Sequence, residues 1–465
     1  MRKSFIPIRF YIVAIVFLTT YINYTTRSNM SISLPAMVNP LKKNSVPQCK
    51  ENDPEGYNKT ITDTGTKYDW NQNVQGLILA AYFYGYLLGS IPSGIIAEWM
   101  GPLKTLFIAT LIAGIFNSLC VWSAQWHWGA LFFMRFIIGV TGGLVYPALQ
   151  CLIGRWAPPQ ERGKFVSALM GNTLGTCLSW IIVGAVTREW KWPWGFHVMS
   201  IQIIFYLIIL VIFTADSPEE HKWIDEEELK FIKESQAGQV SKTKAVPPYK
   251  AIFSSFPFWT LTILHFGNLW GLYVQITAVP KFMKEIIGFD IRQSGFLSSL
   301  PHLMRLILGI GYGILGDWLK KAKFSRTVVL KSFVLLSHIV PGILMASMSL
   351  VGCNAVAGLV LLILSMSING AAVLTNLSNP TDLAPNFAGT IFSIISFIGG
   401  MTGFIVPSIT ATFINVFGEN TKAWSYNFTL GGIVYCGCGI FFIIFGTSQI
   451  QPWNEKKEDG PTTSN

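Results

Sequence analysis

Gly94-Ile-Ile-Ala-Glu98-Trp-Met-Gly101-Pro-Leu-Lys104 is matched far downstream by Gly313-Ile-Leu-Gly-Asp317-Trp-Leu-Lys320. In both runs a glycine lets neighbouring helices approach, a carboxylate stands at a helix end, and a tight turn presents a basic residue. The device occurs twice, so the chain reads as two similar halves. Outward from these runs lie twelve apolar stretches, beginning near Phe10, Val74, Leu103, Ala130, Phe165, Gly195, Phe256, Ser294, Thr327, Ala355, Gly389 and Ser425. Crossing a bilayer core of roughly 30 Å takes about 20 mostly apolar residues. A chain of 465 residues with 51% hydrophobic and only 12% charged residues is too apolar for a soluble domain. Hydrocarbon offers backbone N–H and C=O groups no partners, so the stretches must be helices. The predicted class is an all-α membrane protein of twelve transmembrane helices in two six-helix halves.

Boundaries follow the polar segments: a first half over 1–216 containing a polar loop at 39–73, a charged linker at 217–254, a second half over 255–447 and a tail at 448–465. The N-terminus lacks a cleavable signal pattern, so the first stretch is read as a retained helix. An even helix count puts both termini on one side. Arg2, Lys3, Arg9, Lys104, Arg155, Arg162, Lys164, Lys320, Lys321, Lys323, Arg326 and Lys331 gather there, which makes that side cytoplasmic by the positive-inside rule. The net charge of +10 is thus topogenic and dispersed, unlike the basic stripe that binds nucleic acid. The opposite loop carries the glycosylation acceptor Asn58-Lys-Thr. The acidic run Asp225–Glu228, followed by Lys230 and Lys233, suits a solvated surface helix. Of seven cysteines, five sit in or beside apolar helices, where a small packed residue is the default. Cys49 and Cys353 both fall in loops on the oxidising side and are candidates either for a bridge between the halves or for two free thiols.

Longer runs carry a resemblance: Thr64-Gly-Thr-Lys-Tyr-Asp-Trp70, Gln75-Gly-Leu-Ile-Leu-Ala-Ala-Tyr-Phe-Tyr-Gly-Tyr86, Arg155-Trp-Ala-Pro-Pro-Gln-Glu-Arg162, Gly295-Phe-Leu-Ser-Ser-Leu-Pro301 and Asp382-Leu-Ala-Pro-Asn-Phe-Ala-Gly389. They resemble the sialin, vesicular glutamate and sodium/phosphate cotransporter family of the major facilitator superfamily. The similarity reaches from the first stretch to Gln451-Pro-Trp453. It implies the major facilitator fold, alternating access by rocking halves, and anionic substrates such as phosphate, acidic sugars, acidic amino acids or urate-like anions. In the superfamily the repeated loop motif is thought to lock the cytoplasmic gate, which gives gating roles to Gly94, Glu98, Gly101, Lys104, Gly313, Asp317 and Lys320.

An ionisable residue inside the membrane is a functional hypothesis by default. Arg27, Arg135 and Arg305 qualify, and a guanidinium fork matches carboxylate or phosphate. Arg27 and Arg135 fall where similar transporters keep arginines, and the competing role for Arg135 is snorkelling to the headgroups. Tyr86, Tyr146 and Tyr273 are candidate hydrogen-bond donors to substrate. Gly139, Gly143 and Pro147 let the fourth helix pack and bend. No carboxylate lies in mid-membrane: Glu98, Asp216, Asp317 and Asp382 all stand at the cytoplasmic boundary. Proton-coupled relatives such as sialin carry two glutamates in the fourth helix, where this chain has Ile138 and Gly142. The glutamate transporters' basic residue of the seventh helix is Asn268 here, and their histidine of the second helix is Leu79. A buried carboxylate being the usual proton carrier, the expectation is an anion carrier driven by sodium or membrane potential. The alternatives are a proton-coupled sialin-like exporter and a sensor or channel on the same fold. His265 and His302 are the proton candidates left. Asn369, Thr375, Asn376 and Asn379 offer oxygens to a sodium ion, the one co-substrate expected. No cofactor and no resident metal are expected. Nor is the chain read as an enzyme, since it lacks a phosphate-cradling loop, metal-ligand spacing and a nucleophile elbow. It is expected to act as a monomer in the plasma membrane or a lysosomal or vesicular membrane.

Overall fold

The computed structural model describes residues 7–39, 49, 63–158, 161–236, 247–289, 291–321, 324–384 and 387–454. Twelve rods run back and forth: α1 (Ile8–Met37), α2 (Gln72–Ser90, continued by Ser93–Met100), α3 (Pro102–Trp126), α4 (Trp128–Trp156), α5 (Arg162–Ala168, Gly171–Trp190), α6 (Trp192–Phe213), α7 (Phe256–Tyr273 to Val279–Glu285), α8 (Ile291–Lys321), α9 (Arg326–Leu350), α10 (Ala355–Leu374), α11 (Ala388–Gly400, Thr402–Phe417) and α12 (Thr421–Phe445). Each starts within four residues of the position read from sequence. A surface helix, Glu226–Gln236, lies between α6 and α7.

Local chemistry sets the ends. Asn71, Asn354 and Asn420 accept from the backbone N–H groups of Val74, Ala357 and Ala423 and so cap α2, α10 and α12. At α3, Gly101 turns at φ 88° and Leu103 N donates to Asp216 Oδ1 at 2.7 Å. The N-terminus of α1 is capped from outside its own half of the sequence repeat: Ile8 N and Arg9 N donate to the Glu228 carboxylate at 2.8 and 3.0 Å. Glu228 therefore departs from the solvated-surface reading, because a helix N-terminus attracts a carboxylate.

Apolar side chains turned outward mark the lipid face. On α6, Ile201, Ile204, Ile208 and Val211 are exposed while Met199, Ile203, Leu207 and Leu210 are buried, the pattern of a helix apolar all round. Among the described residues, eight rods meet the length and apolarity a crossing needs, and α2, α5, α7 and α8 fall short. Those four pack across the seam between the halves. There α5 lies along α8, with Trp180 edge-on to His302 at 5.0 Å, and α2 lies along α11, with Tyr84 stacked on Phe404 at 4.9 Å. Within the first half, α2 and α4 touch backbone to backbone. A Cβ on Gly85 or Gly139 would stand 1.9 Å from the carbonyl oxygen of Phe136 or Tyr82.

Both described ends of the chain lie on one face, here the terminal face; the loop end of α1 and α2 lies on the far face. At the far face the halves are latched together. Lys281 of α7 donates to Gln75 Oε1 at 2.8 Å and also to Gln72, whose amide reaches Glu419 at 2.7 Å. Asn415 donates to Asn73 at 2.6 Å, and Cys49 is joined to Cys353 with Cα atoms 5.1 Å apart. At the terminal face, by contrast, a Cβ on Gly94 or Gly313 would meet nothing within 4 Å. The close approach expected of these two glycines is not used in this state.

Candidate substrate site

α1 changes character half-way along its length. Its middle, Asn23-Tyr-Thr-Thr-Arg27-Ser-Asn-Met-Ser31, is polar and wholly buried, which is affordable only where the helix faces protein. Arg27 projects from it into a cage of rings from α1, α2 and α7. Its Cζ lies 4.8 Å from the ring centroids of Tyr24, Phe83 and Tyr273, 5.3 Å from Tyr82 and 5.6 Å from Tyr86. Nη2 donates to the Tyr273 hydroxyl, whereas Nε has no hydrogen-bond partner among the described residues. Cation–π attraction is worth roughly 0.5–2 kcal/mol per ring, so the cage holds the charge without supplying the carboxylate it would ordinarily pair with.

Arg135 is also buried, but its fork is spent on α1: Nη1 donates to Thr26 O at 2.7 Å and Nη2 to Arg27 O at 3.0 Å. Snorkelling is therefore not its role here. It clamps the backbone that carries Arg27, and Tyr82 lies between the two guanidiniums, 5.5 Å from the Cζ of Arg135.

In the second half, Arg305 Nε donates to Asn369 Oδ1 and Nη1 to Thr173 Oγ1 of the other half, both at 3.2 Å. Asn369 passes the network on, donating to Asn268 Oδ1 at 2.9 Å and to Ser337 O at 2.8 Å. Tyr24 and Tyr146 lie within electrostatic reach of both Arg27 and Arg305, so the two arginines face one central region. Tyr146 accepts from Asn172 at 3.2 Å. The structure thus brings Arg27, Tyr86 and Tyr273 together, and gathers Arg305, Asn268 and Asn369 in a second group. Asn376 donates to His265 Nδ1 at 2.8 Å, which makes that nitrogen an acceptor and the ring neutral. His302 is buried against Trp180, its Nε2 without a hydrogen-bond partner among the described residues. The amide oxygens of Asn369, Asn268 and Asn376 each accept a hydrogen bond, whereas Asn379 Oδ1 is buried with no hydrogen-bond partner among the described residues.

At the terminal face Lys104 is exposed beside the Gly101 turn. The side chains of Glu98, Asp317 and Lys320, and all of Asn58, lie outside the described residues. Glu161, in the loop after α4, accepts from Arg9 at 2.7 Å and Lys164 at 3.1 Å. Burial pushes its pKa up, and the two cations outweigh that and hold it below its ordinary value of 4.5. Sequence reasoning missed the far-face group of Lys281, Gln72, Gln75, Glu285 and Glu419. It also missed His338, buried in a π-turn of α9, whose Nε2 donates to Leu264 O at 2.9 Å.

A match to the Major Facilitator Superfamily spans residues 16–407. The chain belongs to that superfamily. A "Putative inorganic phosphate cotransporter" of Drosophila ananassae is 32% identical over 94% of this chain and 92% of its own. Human sialin is 29% identical over 96% and 90%, and human vesicular glutamate transporter 2 is 27% identical over 97% and 76%. The chain is accordingly a multi-pass membrane transporter of the sialin, vesicular glutamate and phosphate cotransporter family, and not an enzyme. A solved D-xylose-proton symporter shares the fold, with a TM-score of 0.66 at 16% identity over 94% of this chain and 98% of that one.

Proposed function

We propose that this transporter carries a small anion, inorganic phosphate or an organic acid, by alternating access driven by sodium or membrane potential. One observation carries the reading. Arg27, Arg135 and Arg305 are buried, and none of their hydrogen-bond partners among the described residues is a carboxylate. An unpaired buried charge costs several kcal/mol, and a bound anion relieves that cost directly. Arg27 and Arg305 then engage the anion, with Tyr86, Tyr146 and Tyr273 around it, while Arg135 holds α1 in place. The lack of a central acid supports sodium or potential over protons.

In alternating access the substrate region opens to one face at a time. The latch on the far face and the open ground at Gly94 and Gly313 fit a state closed toward the far face. With the terminal face cytoplasmic, this is an inward-facing state, and the gating runs close in the opposite one. The test is uptake of labelled phosphate, urate, glutamate and sialic acid into proteoliposomes under sodium, proton and potential gradients imposed singly. Saturable uptake under sodium or potential, lost in Arg27→Ala, supports the proposal. Uptake under a proton gradient alone refutes the driving force and directs attention to His265 and His302. Currents without counterflow would mean a channel.

A further inference from the structure

Two arginines from opposite halves line one cavity at the far end of the α5–α8 seam: Arg188 in the last turn of α5 and Arg292 in the first turn of α8. The cavity measures about 380 Å³, within the roughly 300–1,000 Å³ of small-ligand sites, and Gln293, Ile181, Ala185 and Phe296 complete its lining. We propose that it binds one anionic phospholipid, the phosphate held between the two guanidiniums and an acyl chain lying along the apolar residues. The lining is graded along both helices. On α5, Ala185 and Ile181 stand three and seven residues before Arg188 on one helix face, so Ile181 lies about 10 Å deeper in the membrane. On α8, Phe296 stands four residues after Arg292 and is half exposed. Charge at the end of the seam with an apolar stripe below it matches a phospholipid, whereas a soluble anion has no use for the stripe. The depth agrees. Trp190 and Trp194, exposed and edge to face at 6.1 Å, place this end of α5 in the headgroup layer, where tryptophans gather.

Both arginines are exposed, and Arg188 is engaged elsewhere as well; with five N–H donors a guanidinium can serve a phosphate besides. Just inside the cavity the halves touch main chain to main chain. A Cβ on Gly184 would stand 3.0 Å from Ile291 O, and one on Gly295 2.4 Å from Trp180 O. Closing this seam therefore brings two like charges to one cavity, which opposes closure. A phosphate between them reverses the sign of that effect, because each guanidinium then gains an opposite charge and a charge-assisted hydrogen bond. The lipid needs both walls, so it binds the state closed toward the far face more tightly and shifts the population to it. This bias rests on the alternating-access reading above; the binding site itself does not.

Native mass spectrometry of the purified full chain, with dioleoyl phosphatidylglycerol as probe, tests the site. The parent should keep one such lipid about tenfold more tightly than dioleoyl phosphatidylcholine, whose choline sets a positive charge beside the arginines. Arg188→Gln and Arg292→Gln should each weaken phosphatidylglycerol about tenfold, and Ala185→Phe should weaken it by filling the apolar stripe. Lys422→Gln, an equal loss of charge on the same face, should change nothing. Equal binding of the two lipids, or binding indifferent to both arginine variants, overturns the proposal. So does displacement of phosphatidylglycerol by inorganic phosphate at equal concentration, which would reveal a site for soluble anions. The bias is read in nanodiscs: a cysteine at Asn73 should react several-fold slower with an impermeant maleimide in phosphatidylglycerol than in phosphatidylcholine, a difference that Arg188→Gln abolishes. An equal rate in the two lipids overturns the bias alone. Both readouts are taken without substrate, so failure to transport any anion would sink the carrier reading and leave the lipid site standing.

Discussion

Arg135→Lys separates geometry from charge. The substitution keeps the positive charge, so a site that needed only the field at this position would not notice it. The structure gives the guanidinium two simultaneous bonds, to Thr26 O at 2.7 Å and Arg27 O at 3.0 Å. Hydrogen bonds to charged groups contribute about 1.5–3 kcal/mol each. An ammonium is a point donor on a flexible stem and serves one of the two carbonyls well. The net loss is about 2 kcal/mol, or about 30-fold in an equilibrium constant. It falls on the α1 segment that aims Arg27, so the anion KM should rise about 30-fold with a smaller change in maximal rate. Uptake kinetics in proteoliposomes measure both. A lysine variant within about threefold of the parent in KM would refute the clamp.

Gly139→Ala drives a Cβ to 1.9 Å from a backbone oxygen that no rotamer can move, so folded yield should collapse, whereas Gly311→Ala, with nothing within 4 Å, should fold normally by size-exclusion chromatography. Lys281→Met removes the Lys281 links of the far-face latch and leaves the Cys49–Cys353 bridge in place, and a cysteine placed at Asn73 should react faster with an impermeant maleimide applied to that face. With a protease site inserted in the linker between 237 and 246, the cleaved halves should run as one band without reductant and as two with it, through Cys49–Cys353. Because the folded pKa of Glu161 is depressed, its ties to Arg9 and Lys164 contribute above the ordinary value of 4.5 and are lost as pH falls through the folded value; Glu161→Gln should flatten that part of the acid limb of thermal stability.

The rods were legible because each apolar run is long and its ends carry caps or charges that the bilayer forbids elsewhere. Arg27, Arg135 and Arg305 were legible for the same reason, since an arginine amid Phe133-Met-Arg-Phe has no innocent surface to occupy. Their division of labour was not. Whether a guanidinium faces a cavity or a neighbouring backbone depends on helix rotation, and α4 is apolar on all sides. Lys281 and Glu285 escaped notice because a lysine four residues before a glutamate near a helix end has the pattern of a solvated pair. Burial of Lys281 comes from Gln72 and Gln75, far away in sequence.

The glycine contact between α2 and α4 has a mechanical consequence. Two helices touching through their main chains have no side-chain cushion to compress, so they translate as one stiff beam. The Gly94–Lys104 turn sits at one end of that beam, and Arg135, gripping α1, sits toward the other. A push on the turn therefore arrives at Arg27 with little slack, and the beam has no room along the contact for even one added methyl group.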